Sequence, residues 1–151
     1  MKHIMKLLSL EILGMFTLGV ILACIVYIIY MTTYQFDVLT LNKDPMPVDV
    51  ETVKAGEHIH VDIDFTKNYN FNASDITYNL VNGVIYELSD KAVARPVGDN
   101  EYVKEIDIPL DIHSGTYVLQ IEAHYIVSPL REPIVEILRS EPFTVTDGIT
   151  H

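Results

Sequence analysis

The chain has 151 residues and carries 21 acidic but only 10 basic side chains, for a formal net charge of −11. Glu11, Lys2 and Lys6 lie near the N-terminus, so residues 35–151 hold the remaining 20 acidic and eight basic side chains. A surface this acidic repels phosphate backbones, which excludes nucleic-acid binding as the main function. The single cysteine, Cys24, excludes a disulfide-stapled domain, so residues 35–151 must fold around an apolar core.

An uncharged apolar run extends from Ile12 to Met31 and predicts a single transmembrane helix. At about 1.5 Å of rise per residue, a run of this length crosses a hydrocarbon core of about 30 Å. A cleaved signal peptide would have a shorter apolar region followed by small residues. An acylated lipoprotein cysteine would follow smaller residues than Leu22, which stands two positions before Cys24. We therefore expect an uncleaved signal anchor that holds the protein in the lipid bilayer.

The charges beside this run predict its orientation. Lys2 and Lys6 precede it, whereas the first basic residue after it is Lys43. Because basic residues resist translocation, we expect a single-pass membrane protein with a cytoplasmic N-terminus and an extracytoplasmic C-terminal domain. Residues 1–34 would then form the cytoplasmic tip and the transmembrane helix.

The remainder of the chain is expected to form one domain behind a short connection. Pro45 and Pro47 predict a stalk over residues 35–47, because proline continues neither a helix nor the hydrogen-bond ladder of a sheet. The roughly 115 residues after the membrane segment suffice for one compact domain and are too few for two. We assign this domain to residues 48–147 and a tail to residues 148–151.

Apolar and polar residues alternate from His58 to Phe65, a pattern that predicts a half-buried strand. A short strand over residues 48–53 is expected before it. The runs 76–81 and 84–88 predict a β-hairpin, because the Asn82-Gly83 pair between them tolerates the positive φ angles of a type I′ turn.

Three further strands are predicted in the C-terminal half of the chain. Residues 101–109 alternate moderately, and the inward set there is expected to be Ile106, Ile108 and Leu110. The clearest strand covers residues 116–127, and its predicted inward set is Tyr117, Leu119, Ile121, Ala123 and Tyr125. A final strand over residues 134–145 should be interrupted near Pro142. About seven short strands without a helical period indicate an all-β, antiparallel β-sandwich.

The run from Ile108 to Tyr117, Ile-Pro-Leu-Asp-Ile-His-Ser-Gly-Thr-Tyr, resembles the connection between strands E and F of bacterial immunoglobulin-like domains. In that resemblance Tyr117 corresponds to the corner tyrosine, whose hydroxyl bonds back to the preceding turn. Three other stretches are similar to segments of small single-pass membrane proteins in environmental bacterial and phage sequences: residues 82–86, Tyr125 with residues 128–131, and residues 140–145. The resemblance implies an immunoglobulin-like β-sandwich behind one N-terminal helix, and it implies no particular activity.

The polar face of the strand that begins at His58 holds the best candidates for metal binding. Alternate residues of a strand project from one face about 6.5 to 7 Å apart, so His58, His60 and Asp62 could converge on Zn or Cu. The competing interpretation is the ordinary solvent face of an amphipathic strand. We favour the solvent face and predict neither a metal nor another cofactor.

A second candidate site is the loop between Pro129 and Pro133. The two prolines stiffen it, and Leu130 and Arg131 are residue types that anchor well in the pockets of a protein partner. The same loop is also explained as a rigid connection between two strands.

No arrangement of nucleophile, base and acid is fixed by the sequence, and we predict that the protein is not an enzyme. The expected function is that of a membrane-anchored, extracytoplasmic immunoglobulin-like module for protein–protein contact or for envelope or virion assembly, with an unidentified protein partner. Two alternatives stay open. One is a membrane-tethered metal-binding domain that uses His58 and His60, and the other is a phage envelope factor that acts on host lysis or superinfection.

Overall fold

The structure is a computed structural model that describes residues 2–88 and 95–147, with side chains described from residue 11 onward. The predicted tail, residues 148–151, lies outside the described residues. The chain divides into two compact units. The first comprises Met1–Gln35 with Val127–Glu132, and the second comprises Phe36–Ile126 with Pro133–His151.

The first unit is built on one long helix, α1, which spans Lys2–Thr33. Its stretch Glu11–Thr33 has a mean hydropathy of 2.7, and none of the residues in its most apolar part is buried inside the protein. A helix that is apolar all round is stable only where other apolar material surrounds it. The predicted helix is thus confirmed, and it is long and apolar enough to span a membrane.

The second unit consists of strands. Their bounds are β1 Leu39–Leu41, β2 Thr52–Lys54, β3 His58–Lys67, β4 Ala73–Asn82, β5 Val84–Leu88, β6 Gly98–Asp107, β7 Gly115–Tyr125, β8 Ile134–Arg139 and β9 Phe143–Thr146. The strands predicted from alternation are all present. The final one is interrupted as expected, because β8 ends before Pro142 and β9 begins after it. The short strand expected over residues 48–53 is β2, which covers only Thr52–Lys54. The unpredicted strand β1 and the interruption of the final strand bring the described strands to nine where about seven were predicted.

The strands form two sheets. A small sheet has the order β1-β3-β6, and a large sheet has the order β2-β9-β7-β4-β5, with β8 also paired to β7. Pairings are antiparallel except that β2 runs parallel to β9. The prediction of a purely antiparallel architecture is therefore wrong at one edge, because β2 joins the large sheet beside the last strand before the chain crosses to β3 in the small sheet.

One hydrophobic core lies between the sheets and draws residues from both. Alternation along β3 and β7 points every second side chain into it, as the sequence predicts. The predicted inward set of β7, from Tyr117 to Tyr125, is buried throughout. The largest fully buried side chains are Tyr117, Phe143, Met46, Ile59, Ile63, Leu80, Ile106, Leu119, Val38, Val61 and Val145.

Two local predictions fail for identifiable reasons. Leu110, expected on the inner face, is 83% exposed, because β6 ends at Asp107 and alternation cannot continue through the proline that follows Ile108. The type I′ turn is also absent: Asn82 is paired with Val84 in the hairpin, and among the described residues only glycines, such as Gly83, have positive φ.

The segment predicted as a stalk, residues 35–47, is instead part of the β unit from Phe36 onward. It contains β1, and Phe36, Val38 and Met46 are buried. The carboxylate of Glu136 accepts a hydrogen bond of 2.8 Å from the backbone N–H of Val38. Prolines in this segment are accommodated because it lies at the edges of the sheets, where part of the backbone needs no ladder partner.

Candidate functional site

The polar face of β3 carries a cluster of charges around Lys43. The Lys43 Nζ lies 2.7 Å from a carboxylate oxygen of Asp62, 3.7 Å from one of Asp64 and 3.5 Å from one of Glu101. The hydrogen bond with Asp62 raises the pKa of Lys43, and the nearby carboxylates outweigh the opposing effect of burial. The predicted ligand Asp62 is thus occupied by an ammonium group.

His60 on the same face is held by a carboxylate. The Asp49 side chain accepts a hydrogen bond of 2.9 Å from the backbone N–H of His60, and its other oxygen lies 2.8 Å from His60 Nδ1. Burial alone would raise the pKa of Asp49, but these contacts with His60 outweigh it and lower the pKa. The second ring nitrogen of His60 lies 3.8 Å from a carboxylate oxygen of Glu105.

The metal hypothesis gains no support from this arrangement. The ring of His58 packs edge-on against the ring of His60 with centroids 5.3 Å apart, so the predicted histidines are neighbours. One nitrogen of His60 is already in contact with Asp49, and Asp62 is paired with Lys43. Across residues 2–88 and 95–147, no group of three His, Cys, Asp or Glu side chains is placed to hold a metal ion.

The loop of Val127–Glu132 belongs to the same compact unit as the helix. Arg131 donates a hydrogen bond of 2.6 Å through Nη1 to the backbone carbonyl of Tyr34, and Tyr34 itself continues the helical ladder by donating to Tyr30 at 2.9 Å. A cation is favourable here, because the last carbonyls of a helix lack intrahelical partners and carry partial negative charge. Leu130 is 57% exposed. Its role as a partner contact stays a prediction.

The turn before β7 has the hydrogen bond that the resemblance implies. The buried Tyr117 donates from its hydroxyl to the backbone carbonyl of His113 at 2.8 Å, and burial raises the pKa of this phenol. Gly115 leaves room beside it for the side chain of Asn82, because a Cβ at this position would lie 2.5 Å from Nδ2 of Asn82 and would displace that amide. Gly115 and Tyr117 are therefore both in close contact with neighbouring segments at this turn.

A cavity of about 240 Å³ between the two sheets was not predicted. Its lining includes Lys67 and Arg95, neither of which the sequence analysis singled out. A signal for Lys67 does exist: the alternation that places Phe65 inward also places Lys67 inward two residues later. No comparable periodicity marks Arg95, which lies before β6.

Comparison with known proteins adds no assignment. No protein-family model matches the chain, and no curated protein matches it significantly. The function is therefore argued from the two units and the residues described above.

Proposed function

We propose that this protein is a membrane-anchored, extracytoplasmic immunoglobulin-like module that makes protein–protein contacts in an envelope or virion and has no catalytic activity. The observation that carries the proposal is α1. Its stretch Glu11–Thr33 combines a mean hydropathy of 2.7 with an absence of buried residues in its most apolar part, and a folded β unit follows directly from Phe36. A lipid bilayer supplies the apolar surroundings that such a helix needs.

The order of the strands supports the immunoglobulin-like part of the proposal. In immunoglobulin-type sandwiches, strands A, B and E share one sheet, while C, F and G share the other. Here β1, β3 and β6 form the small sheet, and β4, β7 and β9 lie together in the large one, with β5 in the position of strand C′. The bond from Tyr117 to His113 adds the corner tyrosine of that fold class.

The orientation rests on the distribution of basic residues. Lys2 and Lys6 precede the helix, and Lys43 is the first basic residue after it. The acidic β unit contributes little to retention on the cytoplasmic side, because Asp and Glu have weak effects on topology.

Cysteine labelling tests the orientation, since Cys24 is the only native thiol and lies within the helix. In a Cys24→Ser background, Leu110→Cys places a thiol on the β unit at a position that is 83% exposed in the native protein. Lys2→Cys places one on the other side of the helix. Spheroplasts expressing each variant are treated with a membrane-impermeant maleimide.

We expect Leu110→Cys to be labelled in intact spheroplasts and Lys2→Cys only after permeabilisation. The reverse pattern would overturn the orientation. Labelling of both variants without permeabilisation, or release of the protein by alkaline carbonate, would overturn the membrane anchor itself.

Site-specific photo-crosslinking tests the contact function. A photoreactive residue replaces Leu130 in one variant and Leu110 in a second, because both leucines are exposed and only Leu130 was predicted to contact a partner. We expect a discrete crosslinked protein from position 130 in cells and none from position 110. Equal crosslinking from both positions, or none from position 130, would contradict a contact through this loop.

A further inference from the structure

The cavity between the sheets has a composition that the proposed function does not use. It is partly open to solvent, and its polar lining consists of Lys67 from β3, Arg95 before β6, Asn72 before β4, and the phenol groups of Tyr78, Tyr102 and Tyr125. Aliphatic and aromatic side chains from both sheets complete its walls. An apolar cavity with a few convergent polar groups is the usual form of a small-molecule site.

Lys67 is a buried cation in this cavity. Lys67 is only 5% exposed, and its Nζ donates a hydrogen bond of 3.0 Å to the backbone carbonyl of Arg95. This acceptor is neutral. A lysine so fully buried is almost always paired with an opposite charge. The surroundings of Lys67 therefore suit a lysine whose counter-charge is supplied by a bound molecule.

Arg95 is the second cation of the cavity. Its guanidinium lies 3.8 Å from the centre of the Tyr102 ring, so one face of its plane is covered. Within the described part of the chain, its Nε is the one buried side-chain nitrogen or oxygen that lacks a hydrogen-bond partner. Because one face of the guanidinium is stacked on Tyr102, its N–H donors, including Nε, need an acceptor that lies in the plane of the group.

The described lining contains no Asp or Glu. The carboxylate of Glu136 is close enough to raise the pKa of Tyr125, but it does not line the cavity and accepts a hydrogen bond from the backbone N–H of Val38. Two of the eight basic residues after residue 35 thus meet in one cavity of a protein whose formal net charge is −11. In so acidic a protein, a basic side chain would be expected to lie beside a carboxylate by chance. No carboxylate lies beside these two in the described lining.

We propose that the cavity binds a small molecule that carries one carboxylate or phosphate group on an apolar body. The anionic group would lie between the ammonium of Lys67 and the Nε edge of Arg95. The apolar body would pack against walls such as Phe65 and Ile121. A cavity of about 240 Å³ is many times the space that one water needs and can hold a compact organic anion.

The phenol of Tyr125 fits this assignment. Burial, together with the charge of Glu136, raises the pKa of Tyr125 to about 12. The hydroxyl therefore stays protonated at neutral pH, where it serves as a hydrogen-bond donor to an anion and adds no negative charge to the cavity.

The inference goes beyond the proposed function and does not depend on it. Calorimetry on the full-length protein in phosphatidylcholine nanodiscs tests it with benzoate and phenyl phosphate as probes. Benzyl alcohol and benzylamine serve as neutral and cationic probes of similar shape. We expect saturable one-to-one binding of at least one anionic probe, with the neutral and cationic probes at least tenfold weaker.

Variants locate the binding. Lys67→Met removes the buried charge while retaining an unbranched side chain, and we expect affinity for the anionic probe to fall at least tenfold without loss of the folded state. Arg95→Met should have a similar effect on affinity. Lys54→Met, which makes the same change in net charge at an exposed position of β2, should bind as the native protein does.

Each outcome decides the proposal. Equal affinity for benzoate and benzyl alcohol, no binding of either anion, or unchanged affinity in both Lys67→Met and Arg95→Met would overturn it. Because the comparison of probes uses the native protein, it stands even where a variant does not fold.

A separate arm identifies the source of the anion. In nanodiscs that contain phosphatidylglycerol and no added probe, resonances of the cavity tyrosines that match those of the probe-bound protein would assign the site to a lipid headgroup. Unchanged resonances would assign it to a soluble anion.

Discussion

The hydroxyl of Tyr117 donates a hydrogen bond of 2.8 Å to the backbone carbonyl of His113, four residues earlier in the chain. This bond ties the entrance of β7 to the turn that precedes it. Tyr117 is also among the largest fully buried side chains. The packing of its ring and the hydrogen bond of its hydroxyl therefore both stabilise the turn.

We expect Tyr117→Phe to lower the free energy of unfolding by about 1 kcal/mol, because the ring remains packed and one buried hydrogen bond is lost. Urea denaturation of the full-length protein in detergent, followed by circular dichroism, measures this change. Tyr27→Phe removes an exposed hydroxyl of α1 and should leave the transition where it is. An unchanged midpoint for Tyr117→Phe would show that the bond contributes nothing net.

Alkaline pH should destabilise the β unit through Tyr125. Its pKa is raised to about 12 in the folded protein, from about 10 in an unfolded chain. For a group with a raised folded-state pKa, the contribution to stability is complete below the unfolded pKa and is lost as pH rises through the folded one. Stability should therefore fall between about pH 10 and about pH 12.

Ultraviolet titration of tyrosinate absorbance, paired with thermal unfolding, checks this expectation. Of the nine tyrosines, Tyr125 should be among the last to titrate in the native protein, and its step near pH 12 should disappear in Tyr125→Phe. The stability of Tyr125→Phe should also depend less steeply on alkaline pH. A native titration in which all tyrosines ionise together near pH 10 would contradict the burial of this phenol.

Lys43 should matter most at low ionic strength. Lys43→Met leaves Asp62, Asp64 and Glu101 close together without a cation, so their mutual repulsion should lower the melting temperature. Added salt should restore part of the loss, because these groups are partly exposed and are screened. Lys54→Met is the control of equal charge, and its melting temperature should change less. A loss in Lys43→Met that is independent of salt would point to packing of the lysine stem.

Asp49 should contribute to stability in an acid-sensitive way. Burial alone would raise its pKa, but contacts with His60 lower it, so its contribution is present above about pH 3.8 and is lost as pH falls through the lowered value. Asp49→Asn should be less stable than the native protein at neutral pH, and the two should converge in acid. The exposed loop substitution Asp111→Asn should show no such convergence. Parallel pH profiles for the native protein and Asp49→Asn would contradict the prediction.

Much of the fold was predictable because alternation has a direct physical cause. A strand that buries one face against an apolar core places an apolar residue at every second position, and β3 does so from Ile59 to Phe65 and β7 from Tyr117 to Tyr125. The same rule failed at Leu110, where the strand had already ended, and at the hairpin, where Asn82 keeps an extended backbone and its side chain lies against the turn at Gly115.

Less of the candidate sites could be predicted, because they depend on pairings between distant segments. That Lys43 lies beside Asp62, or that Asp49 holds His60, follows from the path of residues 36–50 along the sheet edges. The sequence predicted a stalk over residues 35–47 and a short strand over residues 48–53, and neither prediction gives these pairings. To predict the cavity, one would need the registers of β3 and β7 together with the position of Arg95. No single segment of the sequence contains that information.

Because β2 pairs with β9, the β unit cannot complete its fold until β9 has been synthesised. β9 supplies the neighbour that joins β2 to the large sheet, and the carboxylate that holds Val38 comes from Glu136 in β8. Both of these strands leave the ribosome after the other described strands of the β unit. The β unit therefore completes its fold only once β9 has been made, long after α1 has emerged, and its early strands depend until then on contacts that do not yet exist.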